Sequence, residues 1–393
     1  MTPGHSSAAH HGPVPVWRDV RVLRVVGQLA ILGSLALLIV FFAAIFLRNV
    51  ADTRLVFSLG FLDQTSGMEL AQTPIQYSST DTFARAFAVG IINTLLVSAI
   101  GIVLATALGI VVGVARLSAN WLASRISAGF VEVMRNTPLL VQLVLLAALI
   151  RQLPGVNEAI ALPGSIFVSS RGVYLPRPLE APGFGGWLAL SLAAVVAGVT
   201  LGWLSRRRRD AGKVTYGLGR LGWLVALGVP IVGWLVLAPY TFDVPALTGF
   251  NFSGGVAVST AFTALLVGLV IYTAAFIGEV IRGGIQAVSR GQVEAALSIG
   301  LTPTQTLRLV VFPQALRIIV PPLTSQYLNL TKNSSLAVAV GYADLFAVGR
   351  AMANQTGQPL SVIVLVMSTY LLISLLTSLV MNLYNRRVQV LER

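Results

Sequence analysis

The chain has 393 residues, of which 55% are apolar and 10% charged; soluble chains carry roughly 25% charged residues, so a water-facing globule is excluded and an integral membrane protein implied. Cysteine is absent, and His5, His10 and His11 are the only histidines, which excludes disulfides, thiolate metal sites and histidine chemistry in the body of the chain. The formal charge of +13 would suit nucleic acid, but the basic residues fall in short stretches between apolar runs, where membrane topology accounts for them and no nucleic-acid partner is expected.

A helix needs roughly 20 residues to cross a hydrocarbon core about 30 Å thick. Eight runs meet that test, at 27–47, 89–115, 133–153, 187–204, 221–238, 256–278, 313–342 and 360–384, and the predicted fold is all-α and integral to the membrane. Residues 1–26 form a cytoplasmic tail with Arg18, Arg21 and Arg24. The run at 27–47 exceeds the roughly 7–15 residues of a signal-peptide core and reads as an uncleaved N-terminal anchor. A periplasmic loop at 48–88 follows. Residues 89–385 hold the other spans, with an insertion at about 154–255 and a polar cytoplasmic loop at 280–312, before a cytoplasmic tail at 386–393.

With both termini inside, Arg48, Arg54, Arg85, Arg151, Arg171, Arg177 and Arg350 lie outside and most other basic residues inside, the asymmetry expected of an N-in, C-in chain. Arg206, Arg207, Arg208 and Arg209 read first as a stop signal at the cytoplasmic end of a helix, with an anionic-lipid or nucleic-acid patch as the alternative.

The polar loop carries explicit helix signals. Ser289 and Gln292 have capping-box spacing, so a helix is expected from Arg290, and Gly300 can take the left-handed conformation that ends it. Thr302, Pro303 and Gln305 restart the pattern, predicting a second short helix toward Pro313. Glu294 offers a fixed negative charge, and the small Ala295 and Ala296 leave room for another surface. A capped re-entry loop with no partner is the alternative on spacing alone.

Glu294-Ala295-Ala296, three residues, Gly300, nine residues, then Val310-Val311-Phe312-Pro313 resembles the EAA loop of binding-protein-dependent ABC importer permeases, EAA-x3-G-x9-I-x-L-P, with conservative departures at Val310 and Phe312. The resemblance implies that this loop forms coupling helices seated on a separate ATPase. That agrees with Lys213 and Lys332, the only lysines, neither of which completes a phosphate-cradling G-x-x-x-x-G-K-[ST] loop. This chain is therefore expected to bind no cofactor or metal and to have no catalytic residue, with ATP on the partner ATPase.

Arg135-Asn136-Thr137-Pro138-Leu139-Leu140-Val141-Gln142 is similar to a motif of polar amino-acid permeases, and Lys332-Asn333-Ser334-Ser335-Leu336-Ala337 to the general L-amino-acid branch. These resemblances imply a type I permease core made by the runs at 89–115, 133–153, 256–278, 313–342 and 360–384. The N-terminal anchor and two inserted helices would be subfamily additions. They also imply a bacterial inner membrane, ABC ATPase subunits, a second homologous permease subunit in a heterodimer, and a periplasmic amino-acid-binding protein.

Gln326, Asn329 and Asn333 share one helix face at i, i+3 and i+7, beside Lys332. Pro321-Pro322 upstream is expected to bend or interrupt that helix. Lys332 can meet a substrate carboxylate and the amides an ammonium; alternatively, the amides bond between helices and Lys332 snorkels to the interface. Asn93 and Thr94 carry the same two readings. Glu132 with Arg135, and Glu279 with Arg282, read as structural i, i+3 pairs. An ion-gradient-driven secondary transporter is the alternative function, disfavoured by the lack of an internal repeat or a mid-span carboxylate. A membrane-embedded enzyme has still less support.

Overall fold

A computed structural model describes residues 20–52, 57–212 and 217–389. The histidines, Arg18 and Lys213 lie outside those residues. Helix α1 (Val20–Asp52) begins inside the expected tail and runs past residue 47. Its apolar side chains, Leu32 and Leu37 among them, are exposed, as a lipid-facing anchor requires. Helix α2 (Phe83–Arg116) starts where Thr82 Oγ1 accepts from the Arg85 N–H at 3.4 Å, ahead of the expected residue 89.

The expected single span at 133–153 is two helices. Helix α3 (Trp121–Asn136) is capped by Asn120, and α4 (Leu139–Arg151) leaves it at 106°. The cause is Pro138, which lacks an N–H and disfavours helical backbone at the residue before it; Thr137 is extended, with ψ 129°. At 13 residues, α4 rises only about 20 Å.

The insertion carries short strands that no apolar periodicity had signalled. Strands β1 (Ile160–Leu162), β2 (Ile166–Ser169), β3 (Gly172–Leu175) and β4 (Arg177–Glu180) precede the antiparallel hairpin of α5 (Phe184–Asp210) and α6 (Leu218–Leu237). Strands β5 (Tyr240–Asp243), β6 (Ala246–Thr248), β7 (Asn251–Ser253) and β8 (Val256–Ser259) follow it. The sheet order β1-β2-β3-β8 joins Val173 to Val258, while β4 pairs with β5, placing Leu179 opposite Thr241. These antiparallel pairs bring the start of α5, the end of α6 and the start of the next helix to one side. The turn joining α5 to α6 therefore lies on the other.

Helix α7 (Thr260–Gln286) starts at the Ser259 cap, so the expected span at 256–278 loses its first residues to β8 and gains two turns at its end. It is the centre of the core, with Leu265, Leu269 and Ile277 fully buried beside Val97 and Leu330. Its crossing with α2 is set by small residues: a Cβ at Gly113 would lie 2.7 Å from the Gly278 carbonyl oxygen. In lipid, where apolar burial from water cannot drive association, such backbone approach supplies the dispersion contacts that do.

After α7 come α8 (Arg290–Ser298), α9 (Pro303–Thr306), a wide π turn (Leu307–Val311), α10 (Phe312–Asn333), a 3-10 turn (Ser334–Ala339), α11 (Leu345–Thr356) and α12 (Pro359–Gln389). Of the bend or interruption expected at Pro321 and Pro322, the interruption does not occur, for both stay inside α10. Buried Ile319 and Val320 hold that stretch, Ile319 reaching the position of Gly284 on α7, and neighbouring helices are what allow proline in a spanning helix. Among the described residues, seven single helices are long and apolar enough to span, or eight with the α3–α4 pair.

Candidate functional site

The loop after α7 folds into an elbow. Gly300, at φ +86°, closes α8: its N–H donates to Leu297 O at 2.9 Å and the Leu301 N–H to Ala296 O at 3.2 Å. This is the paired-bond stop that requires a left-handed residue. No atom lies within 4 Å of a Cβ built at Gly300, so conformation rather than space demands glycine. Thr302 then forms the expected capping box: its N–H donates to Gln305 Oε1 at 2.9 Å, and its Oγ1 accepts from the Gln305 N–H at 3.3 Å.

The matching box at Ser289 does not form. Ser289 caps α8 without a side-chain bond, and Gln292 Oε1 instead accepts from Gln314 Nε2 at 3.4 Å, tying α8 to α10. The second short helix also differs from expectation. It runs through the π turn into α10, where the Phe312 N–H donates to Leu307 O and Pro313 occupies the first turn. The widened turn sits where the proline ring would otherwise crowd the carbonyl of Leu309.

Glu294 and Ala295 are exposed on the elbow, but Ala296 is only 3% exposed and packs inward, so it leaves no room for an outside surface. Ile299 is 79% exposed beside Leu297 and Leu309. The free surface is thus one carboxylate, one small residue and an apolar rim, a composition suited to a protein partner.

Behind the elbow, Glu279 on α7 is bonded by Arg116 from α2 and by Arg282 on its own helix, with Arg282 Nε donating to Glu279 Oε1 at 3.1 Å. The expected Glu279–Arg282 pair exists as part of this wider cluster. Glu132 and Arg135 form no ion pair among the described residues; the Arg135 guanidinium lies 5.3 Å from the centre of the Phe276 ring.

At the far end, α10, α11 and α12 enclose a cavity of about 500 Å³ lined by Lys332, Ser335, Arg350, Asn354 and Tyr370 over an apolar wall. Asn329 and Lys332 are exposed, Gln326 and Asn333 half-buried, and none of the four side chains has a hydrogen-bond partner among the described residues. The interhelical-bond reading of these amides therefore finds no partner among the described residues. Of the four, only Lys332 lines the cavity.

Asn93 belongs elsewhere. It is buried, and its amide donates to Gln72 O at 3.1 Å and Ala343 O at 2.8 Å, while Thr94 Oγ1 accepts from the Leu345 N–H at 3.0 Å. Both side chains latch α2 to the start of α11 rather than lining a path. Next to them Asp344, fully buried, caps α11: Oδ1 accepts from the Ala347 N–H at 2.8 Å and Oδ2 from the Tyr370 hydroxyl at 3.0 Å. Burial pushes its carboxyl up to about 6, against those two bonds, which favour the charge. Asn354, Tyr370 and Asp344 escape the sequence reading, and Arg350 enters it only as an outside charge, although an Asp before Leu345-Phe346 is a cap signal and Arg350 and Asn354 share a helix face.

The comparisons with known proteins meet this geometry. YhdX, an amino-acid ABC transporter permease by name, of Escherichia coli (strain K12), is 44% identical over 352 residues, covering 88% of each chain. The general L-amino acid transport system permease protein AapQ of Rhizobium johnstonii is 43% identical over 348 residues, covering 88% of this chain and 87% of its own. The glutamate/glutamine/aspartate/asparagine transport system permease protein BztB of Rhodobacter capsulatus is 43% identical over 371 residues, with 86% and 87% covered. The family model described as binding-protein-dependent transport system inner membrane component matches residues 105–390, and with these spans and this elbow the chain belongs to that family of multi-pass membrane transport components.

Proposed function

We propose that this chain is the transmembrane permease subunit of an ATP-driven ABC importer for L-amino acids, receiving substrate from a periplasmic binding protein and moving it by alternating access. The observation that carries the reading is the elbow, in which a glycine-locked stop and a capping box present Glu294, Ala295 and Ile299 at the foot of α10. A rigid projection with an apolar rim is what a partner ATPase needs in order to push. ATP is bound and hydrolysed on that partner, and this chain holds no cofactor. The names of AapQ and BztB support an amino-acid substrate. Lys332 and Arg350 in one cavity supply cationic partners for its carboxylate.

The elbow faces the cytoplasm of the inner membrane, with both termini inside. A second, homologous permease completes the path in a heterodimer. The exposed amide of Asn329 and the half-buried one of Gln326, both without a hydrogen-bond partner among the described residues, suit that shared surface.

The chain contains no cysteine, so a single Ala295→Cys variant gives an unambiguous cross-linking handle on the exposed side of α8. We expect disulfide or maleimide cross-links from it to the ATPase subunit, and amino-acid uptake into proteoliposomes of the assembled transporter only with ATP. Uphill accumulation by this polypeptide alone under a proton or sodium gradient would overturn the proposal.

A further inference from the structure

The inserted hairpin carries a second site. Where α5 and α6 meet, on the same side of the membrane as the elbow, a cleft of about 760 Å³ opens between them, lined by Arg206 and Arg209 of α5, Arg220 of α6, and Trp203 and Trp223. Its depth comes from small residues: Cβ atoms built at Gly198 and Gly222 would lie 2.5 and 2.7 Å from each other's carbonyl oxygens, so backbone meets backbone.

Positive charge at the end of a spanning helix is explained by topology alone, but topology asks for no concavity. Here three exposed arginines converge on one cleft, and among the described residues none of them has an ion pair or hydrogen bond. Arg207 behaves differently: its guanidinium lies 4.1 Å from the Trp203 ring centre. Asp210, whose side chain lies outside the described residues, is the single acidic residue in the sequences of α5 and α6.

Above the arginines the cleft becomes apolar, through Ala226 and the exposed Val199. Trp203 lies near the end of α5 and Trp223 near the start of α6, the arginine-bearing ends of both helices, and tryptophan is enriched at bilayer interfaces. A site that is cationic at the water surface and apolar toward the membrane centre matches one class of molecule. We infer that this cleft binds an anionic glycerophospholipid, its phosphate among Arg206, Arg209 and Arg220 and its acyl chains along α5 and α6. A soluble phosphate would leave the apolar half unfilled.

The test is native mass spectrometry of the assembled transporter, titrated with phosphatidylglycerol in detergent. Wild type should retain the lipid, and Arg206→Gln/Arg209→Gln/Arg220→Gln should bind it roughly a hundredfold more weakly, at the usual contribution of an arginine near an anionic surface. Arg24→Gln/Arg125→Gln/Arg386→Gln, which removes three exposed arginines elsewhere, should bind as wild type does. Should the triple variant fail to insert, each single cleft variant should lose about fivefold. Retention unchanged in the cleft variants, equal losses in the control variant, or displacement of the lipid by millimolar glycerol 3-phosphate would each overturn the inference.

Discussion

The hydroxyl of Tyr370 on α12 donates to Asp344 Oδ2 at 3.0 Å, so the cap of α11 and the wall of the Lys332 cavity are a single bonded unit. The carboxyl, raised from 3.8 to about 6 by burial, binds a proton more readily in the folded protein than in the unfolded chain. Its contribution to stability is therefore full below about pH 4 and is lost as pH rises toward about 6. Asp344→Asn keeps the cap oxygen and removes the titration. The difference in thermal midpoint between variant and wild type in detergent should grow in the variant's favour from pH 4 to pH 6.5. A constant difference would show that Asp344 does not titrate there.

Gly300 stands at φ +86° with open space around it, so substitutions there should be ranked by backbone preference rather than size. Left-handed backbone costs an ordinary side chain about 1–2 kcal/mol, and asparagine less. In the reconstituted transporter, Gly300→Val should lower the uptake obtained per ATP hydrolysed several-fold, and Gly300→Asn should keep most of it. Equal ratios for the two variants would remove the turn from the coupling mechanism.

The α2–α7 crossing should tolerate no added methyl. Gly113→Ala places one 2.7 Å from the Gly278 carbonyl oxygen, and overpacking of this kind costs about 1–3 kcal/mol. Gly129→Ala on α3 meets nothing within 4 Å and gains up to about 1 kcal/mol of helix propensity. Fluorescence-detected size-exclusion chromatography after heating should separate the two, with only Gly113→Ala melting early.

If Lys332 receives the substrate carboxylate, its loss should appear in KM before kcat. Lys332→Gln should raise the KM for uptake about 10–100-fold, the range for a hydrogen bond to a charged group. Arg350→Gln, in the lining of the same cavity, should add to it, and Lys332→Arg should recover part. An unchanged KM in Lys332→Gln would place the lysine at the membrane interface instead.

The spans were legible because about 20 apolar residues in a row have few alternatives to crossing a bilayer. The elbow was legible because caps are local chemistry: Thr302 and Gln305 do what their spacing says. Ser289 and Gln292 have the same spacing, yet Gln292 is engaged by Gln314, a partner 22 residues away that no local pattern reveals. Ala296 looked like Ala295 until helix phase and the packing of α8 turned one inward. Pro138 broke its helix whereas Pro321 and Pro322, themselves exposed, did not, because the buried Ile319 and Val320 just before them hold α10 in place. The strands of the insertion are three or four residues long, too short for alternation to stand out.

Because α9, the π turn and α10 follow one another without a break, the elbow and Lys332 sit at opposite ends of one strut about 45 Å long, from Pro303 to Asn333. Such a strut transmits a shove along its axis with little compression. At its foot the five residues of the wide turn exchange the α register of backbone bonds for a wider one, so the shaft meets the elbow where the helix is least regular.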